Sequence, residues 1–159
     1  MRIAVIVTVA TFAATSAFAE VVETAKVKIT GGPNAGTHEA TTESGGCTYG
    51  FAGPGSWGNQ LSSRDKDPKK FNSLQLIVPD AKKAAGGTGE FMLLVGFGPL
   101  LHRSAEYKVE TTKGAKSGSG TVTVKDGGTT GRVTFNATTA DGVKLEGEID
   151  CKKVMRAGK

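Results

Sequence analysis

Apolar and polar positions alternate most regularly in the last third of the chain. The stretch VKLEGEIDC at residues 143 to 151 contains two alternating sets, one of Val143, Leu145, Ile149 and Cys151 and one of Lys144, Glu146, Glu148 and Asp150. A period of two predicts a β-strand with one face in the core and the other in water. Cys151 falls on the buried face, which favours a structural cysteine over a reactive thiol.

The preceding run RVTFNATT, at residues 132 to 139, predicts the strand that pairs with this one. A two-residue Asp-Gly turn would place Phe135 opposite Glu148, so that a core residue would face a carboxylate. A three-residue loop closed by Gly142 in the left-handed conformation instead aligns Val133 with Ile149. We therefore expect the three-residue loop and its register.

A second hairpin is predicted one turn earlier in the chain. The tetrapeptide DGGT at residues 126 to 129 suits a two-residue turn in which both glycines have positive φ. This turn would set Val122 opposite Val133. Residues 119 to 153 would then form a three-stranded antiparallel meander.

The first two thirds of the chain contain further short alternating or apolar runs. Strands are predicted at residues 25–30, 37–43, 47–51, 73–79, 90–98 and 106–110. Asp80, followed by helix formers and a glycine stop, predicts one short helix near residues 80–86. Eight or nine short strands with glycine-rich turns are typical of all-β domains. We predict an antiparallel β-sandwich formed by residues 20–159 as a single domain, with a small β-barrel as the alternative.

The first 19 residues, MRIAVIVTVATFAATSAFA, have the pattern of a cleavable secretory signal peptide. A positive charge at Arg2 precedes an apolar run, and small residues lead to a cleavage site after Ala19. The apolar run is shorter than the roughly 20 residues that cross a bilayer. We predict a periplasmic or extracellular protein without a membrane span.

The cysteines and the charge agree with export. An even number of cysteines in an oxidising compartment predicts a disulfide between Cys47 and Cys151. The formal net charge of +5 is mild, and the basic residues are spread along the chain. Nucleic-acid binding would need a basic face with stacking aromatic residues or a known motif. We expect no nucleic-acid partner.

The sequence does not predict a catalytic site. Ser56 lies in GPGSWG, where Pro54 replaces the first glycine of a hydrolase G-x-S-x-G elbow, and no helix follows. Three acidic residues of the last predicted strand share one face, but Lys144 on that face favours a solvated surface over a metal site. We expect no catalytic residues, no metal and no cofactor.

Four residues are candidate contacts for a ligand or partner: Tyr49, Trp57, Leu100 and Leu101. The first two lie in GGCTYGFAGPGSWGNQL, where CTYGF predicts a strand with its odd positions inward and a tight turn follows. Trp57 either closes the core or offers a platform on which a sugar or another flat ligand stacks. Leu100 and Leu101, in a loop after an apolar strand, either close the core or contact a partner.

The closing pattern GSGTVTV…RVTF…GVKLEGEIDC, with Cys47 as the partner cysteine, resembles the small β-rich envelope antigen lipoproteins of mycobacteria. The resemblance implies a β-rich envelope architecture, although this chain lacks the lipid-bearing cysteine after the signal. We predict an exported, non-catalytic and monomeric protein of the cell envelope or secreted fraction that acts through surface contacts with a partner. The alternatives are a lipocalin-like barrel for a small apolar ligand, which the G-x-W match at Gly55-Ser56-Trp57 suggests, and a secreted enzyme of unknown type.

Overall fold

The chain folds into two β-sheets and one short helix. The computed structural model describes residues 20–43, 45–99, 101–112, 114 and 116–158. In this part of the chain the elements are β1 (Glu23–Thr30), β2 (Gly36–Thr42), β3 (Gly46–Tyr49), β4 (Trp57–Ser62), β5 (Phe71–Val78), α1 (Ala81–Ala84), β6 (Met92–Phe97), β7 (Ala105–Glu110), β8 (Ser119–Asp126), β9 (Gly131–Thr138), β10 (Lys144–Cys151) and β11 (Val154–Arg156). The predicted signal peptide at residues 1–19 lies outside the described residues.

The strands form a β-sandwich. The five-stranded sheet has the order β2-β1-β10-β9-β8, and the six-stranded sheet has the order β11-β3-β4-β5-β6-β7. The sheets do not close into a barrel, so the predicted β-sandwich is confirmed and the barrel alternative is wrong. Leu74, Leu76, Leu93 and Val95, which would line the interior of a barrel, are buried in the core.

Two of the eleven strands have no alternating or apolar run that predicts them from the sequence. β4 carries Trp57, Asn59 and Leu61 on its buried side, and the amide of Asn59 interrupts an otherwise apolar set. β11 has three residues, which are too few for a period to show. The sequence therefore predicts eight or nine strands where the described part of the chain has eleven.

The strand predicted at residues 47–51 ends two residues early. β3 stops at Tyr49, because Gly50 has a φ of 83° and its N–H donates to the carbonyl oxygen of Ser56 at 2.8 Å, which starts the hairpin turn. Phe51, which we expected on the inner face, is therefore 61% exposed in this turn.

The predicted meander is present as β8, β9 and β10. Val133 lies opposite Ile149, and Gly142 has a φ of 87°, which confirms the three-residue loop between β9 and β10. The register predicted for β8 and β9 is wrong by two residues, since Val122 lies opposite Phe135. A shift of two residues keeps every side chain on its predicted face.

The physical reason for the shift lies in the turn between β8 and β9. Asp126 pairs with Gly131, so the turn contains four residues instead of two. The Gly127 N–H donates to the Thr130 carbonyl oxygen at 2.9 Å, and the Asp126 side chain accepts from the Gly128 N–H at 2.9 Å. Of the two glycines, Gly128 alone has a positive φ.

The helix α1 lies within the predicted segment 80–86. The Asp80 side chain caps it by accepting a hydrogen bond from the Lys83 N–H at 3.0 Å. Ala81 and Ala84 are its buried residues. Within the described residues, no helix is long and apolar enough to cross a membrane.

Trp57 spans the core between the two sheets. Its indole extends from β4 toward Gly131 at the start of β9, where an added Cβ atom would lie 2.4 Å from Cη2 of Trp57. A side chain at position 131 would therefore collide with the indole ring. This contact joins the six-stranded sheet to the five-stranded sheet close to the disulfide described below.

Candidate functional site

The predicted disulfide joins the two sheets. Cys47 on β3 and Cys151 on β10 are bonded, their Cα atoms lie 5.9 Å apart, and both residues are buried. The predicted pairing is confirmed. In the chain-entropy model, a crosslink across a separation of 104 residues stabilises the fold by on the order of 4 to 5 kcal/mol.

Trp57 and Asn59 form a buried polar contact with this disulfide. The Trp57 indole N–H donates to Asn59 Oδ1 at 2.8 Å, and Asn59 Nδ2 lies 2.8 Å from Cys47 Sγ and 3.5 Å from Cys151 Sγ. Trp57 has no exposed surface. The interpretation of Trp57 as a stacking platform is therefore wrong, because the ring is enclosed and its N–H has a partner. The alternative, in which Trp57 closes the core, is confirmed.

A buried carboxyl group that was not predicted from the sequence lies beside the disulfide. Glu23, the first residue of β1, is fully buried between Thr42 of β2 and Cys151 of β10 in the sheet. Burial raises the pKa of Glu23 to about 7, and the neighbouring Asn59 amide lowers this pKa only in part. Continuing the alternation of β1 backwards from Ala25 would have placed Glu23 on the buried face.

Tyr49 already has a partner within the chain. The Arg156 guanidinium lies over the Tyr49 ring, 4.7 Å from the ring centroid. Arg156 also donates to the Gly128 carbonyl oxygen at 2.8 Å and pairs with the Asp126 carboxylate. One face of the predicted contact residue Tyr49 is therefore covered by Arg156 and is closed to a ligand.

The most exposed large apolar residues in the described part of the chain lie in two hairpin turns of the six-stranded sheet. Leu101 is 87% exposed in the turn between β6 and β7, and Phe51 is 61% exposed in the turn between β3 and β4. The strand pairing places these turns at opposite ends of the sheet. Leu101 stays a candidate contact, while the other predicted contact in its loop, Leu100, lies outside the described residues.

The outer face of the five-stranded sheet is densely charged. Its outward positions include Lys26, Lys28, Glu39, Lys125, Arg132, Lys144, Glu146, Glu148 and Asp150, which we refer to as the charged face. Lys26 Nζ lies 3.3 Å from Glu39 Oε2, and two further ion pairs also cross between strands. Opposite charges are interspersed, so this face has almost no net charge.

The outer face of the six-stranded sheet has a different composition. Its outward positions on β11, β3, β4, β5 and β6 include Met155, Thr48, Gly58, Gln60, Ser62, Gln75, Ile77, Met92 and Leu94, which we refer to as the uncharged face. Ile77 and Met92 are direct cross-strand neighbours, and Leu94 is the next outward residue on β6. Charge is found at the borders of this face, on the edge strand β7 and where Arg103 lies over Gly96.

The histidine and acidic residues do not combine into a metal site in the described part of the chain. No group of three or more His, Cys, Asp or Glu side chains there is arranged to hold a metal ion. His38 Nε2 lies 2.8 Å from the Asn34 carbonyl oxygen, and its ring packs edge-on against Phe97 with centroids 4.8 Å apart. His38 therefore takes part in packing within the fold.

No family model matches the chain, and no curated protein or solved structure matches it either. A functional proposal for this chain therefore rests on its own residues and on their arrangement in the sandwich.

Proposed function

We propose that the protein is an exported, non-catalytic β-sandwich of the cell envelope or secreted fraction that acts by binding a macromolecular partner. The observation that carries this proposal is the uncharged face. An antiparallel sheet with one side in water ordinarily alternates apolar inward and polar outward residues. Ile77, Met92 and Leu94 depart from that rule side by side, and contiguous apolar patches rimmed by polar residues are typical of contact surfaces.

The composition of the uncharged face also indicates the kind of partner. A charged group placed against Ile77 would lose its hydration without gaining an ion pair, because the cross-strand neighbours of Ile77 are the uncharged Gly58 and Met92. Gln60 and Gln75 can donate and accept hydrogen bonds across the same flat surface. We expect a partner surface that is flat and largely uncharged, with apolar groups for the Ile77 and Leu94 side of the face.

Export has support of its own. Residues 1–19 have the pattern of a signal peptide, and the buried Cys47–Cys151 disulfide suits an oxidising compartment. The resemblance of residues 118–151 to mycobacterial envelope antigen lipoproteins supports an envelope setting.

Expression of the full chain in a bacterium tests export directly. We expect the intact mass of the purified protein to correspond to a chain that begins at Glu20 and carries an oxidised disulfide. A variant with Ala19→Arg, which removes the small residue at the predicted cleavage site, should accumulate with residues 1–19 attached. A wild-type protein that keeps these residues, or that has two free thiols, would contradict export.

Site-specific crosslinking tests the contact surface. A photoreactive amino acid is placed at Leu94 on the uncharged face and, as the matched control, at Thr134 on the outer side of the five-stranded sheet. In cells of the protein's own source we expect a discrete adduct of one mass from position 94 and none from position 134. Equal adducts from both positions would contradict a dedicated surface, and an adduct of twice the protein's mass would identify the partner as a second copy.

A further inference from the structure

Glu23 lies where the ends of both sheets meet the Cys47–Cys151 disulfide. In the pairing of β1 with β10 it lies opposite Cys151, and in the pairing of β3 with β4 Cys47 lies opposite Asn59. A Cβ atom added to Gly46 of β3 would lie 3.6 Å from Glu23 Oε2. The carboxyl group therefore reaches from the five-stranded sheet to the six-stranded sheet and closes this end of the sandwich beside the disulfide.

The carboxyl group has little to offset its burial. Both of its oxygens lack a hydrogen-bond partner among the described residues. The Asn59 amide donates to the two sulfur atoms, and it offsets only part of the effect of burial on the pKa of Glu23. An ionised carboxylate is costly to bury without partners, and burial raises the pKa of Glu23 to about 7. The closed arrangement therefore holds the neutral acid.

The neighbouring groups cannot compensate for ionisation. In the described structure the side chains that face Glu23 are Thr42 from β2, Cys151 from β10, Cys47 from β3 and Asn59 from β4. None of these groups carries a charge while the disulfide is intact. An ionised Glu23 thus gains no ion pair in the closed arrangement and is stabilised by moving into water.

The route to water is short, because Glu23 is the first residue of β1. Two backbone hydrogen bonds hold the segment just before it: the Val22 N–H donates to the Thr42 carbonyl oxygen, and the Lys152 N–H donates to the Val22 carbonyl oxygen, each at 2.9 Å. Release of residues 20–23 would break these bonds at the end of the sheet. The remainder of β1, from Ala25 onward, would keep its pairing.

We propose that Glu23 is a pH-sensitive latch over the Cys47–Cys151 disulfide. When the carboxyl group is protonated, it stays inside the sandwich and shields the sulfur atoms. When it is ionised, it moves into water with residues 20–23 and leaves the disulfide accessible to reductants. The latch couples the pH around the protein to the reducibility of its disulfide, whatever partner the uncharged face binds.

The test compares the wild-type protein with the Glu23→Gln variant, since glutamine has the same shape and does not ionise. Each oxidised protein is treated with tris(2-carboxyethyl)phosphine, and the free thiols are followed by alkylation and intact mass. In this reaction the phosphine becomes a phosphine oxide with oxygen from water, and the S–S bond becomes two thiols. The ratio of the wild-type rate to the variant rate cancels the pH dependence of the reductant itself.

We expect this ratio to rise about 50-fold between about pH 5 and pH 8 and to flatten once the pH passes the raised pKa of Glu23. Low concentrations of urea should hardly change the rates, because only a few residues open. A ratio that is independent of pH would overturn the proposal. So would a urea dependence as steep as that of global unfolding.

A second measurement covers the case in which the Glu23→Gln variant fails to fold. The side-chain carboxyl carbon of Glu23 is followed by NMR in the wild-type protein as the pH is raised. Titration near pH 7 supports the latch. Titration near the usual value of 4.5 overturns it, because the carboxylate would then ionise freely in the closed arrangement.

Discussion

The two sheets have similar inner faces and different outer faces. Inside, apolar residues pair across strands in both sheets, for example Val133 with Ile149 in the five-stranded sheet and Leu76 with Leu93 in the six-stranded sheet. Outside, the charged face has interspersed lysines, arginine and acids, whereas the uncharged face has amides, hydroxyls and apolar side chains. Packing of the core requires apolar residues at the inward positions but does not restrict the residues at the outward positions. The outer composition therefore indicates what each sheet meets beyond the domain.

The side chains of the charged face are solvated by water. The Lys26 and Glu39 side chains, which form one of its ion pairs, are 50% and 52% exposed. Ile77, Met92 and Leu94 are only half-buried, so part of their apolar surface is in contact with water. Burial of such side chains stabilises a contact by about 25 cal/mol for each square ångström removed from water. The proposal that the uncharged face is a binding surface rests on this difference between the two faces.

The largest expected effect on stability is that of Trp57, whose indole lies between the two sheets. Trp57→Ala removes the indole that spans the core and leaves Asn59 Oδ1 without its donor, so we expect a loss of about 3 to 5 kcal/mol of unfolding free energy. Phe51→Ala is the matched control, because this ring is 61% exposed and its loss should change stability by less than about 0.5 kcal/mol. Urea denaturation measures both. Equal losses would show that Trp57 is not a core residue and would weaken the picture of a common interior.

The next largest expected effect on stability concerns Glu23, which lies where the two sheets meet. Glu23 ionises near pH 4.5 in the unfolded chain and near pH 7 in the folded protein. Between these values the unfolded chain has released a proton that the folded protein keeps, so the unfolding free energy falls as the pH rises and is level on either side. The difference of pKa corresponds to about 3 kcal/mol. We expect Glu23→Gln to remove this fall and to be the more stable protein at pH 8, as measured by urea denaturation across the pH range. A wild-type protein that gains stability between pH 5 and pH 7 in parallel with the variant would contradict this.

The sequence predicts the inner alternation well, because that pattern is local. The register of β9 on β10 is predicted from the conflict between Phe135 and Glu148, which a two-residue turn would create and the three-residue loop avoids. The register of β8 on β9 is not determined in this way, since a shift of two residues leaves both faces unchanged and the turn hydrogen bonds of Asp126 decide it. The local alternation determines the face on which a side chain lies, and the turn determines the register between the two strands.

Features around the candidate sites depend on residues far apart in the chain. Asn59 is tolerated inside because Cys47 and Cys151, 12 and 92 positions away, accept from its amide. No period in the sequence of β4 shows these partners. Similarly, the apolar runs of β5 and β6 predict buried strands, but the sequence alone does not show that Ile77 and Leu94 are only half-buried in the described structure.

Lysine substitutions at matched outward positions test the proposed difference between the two outer faces. We expect them to change stability little and to change binding strongly on one face only. Leu94→Lys puts a charge on the uncharged face, next to Lys108 of β7, and the lysine stem can still cover its neighbours, so we expect a stability loss of at most about 1 kcal/mol. Thr134→Lys places the same charge on the outer side of the five-stranded sheet. Crosslinking from position 77 should be lost in the first variant and kept in the second. Retention in both would show that the uncharged face is not the contact surface.

The smallest expected effect concerns the ion pairs of the charged face. Glu39→Gln removes the partner of Lys26 at 3.3 Å, but both side chains are about half exposed and their attraction is screened by salt. We expect a loss of less than about 0.5 kcal/mol in urea denaturation, becoming smaller as salt is added. A loss well above 1 kcal/mol would mean that the charged face contributes to folding as the core does. If the loss is small, the charges on this face serve hydration rather than stability, and the lack of charge on the other face needs an explanation outside the fold.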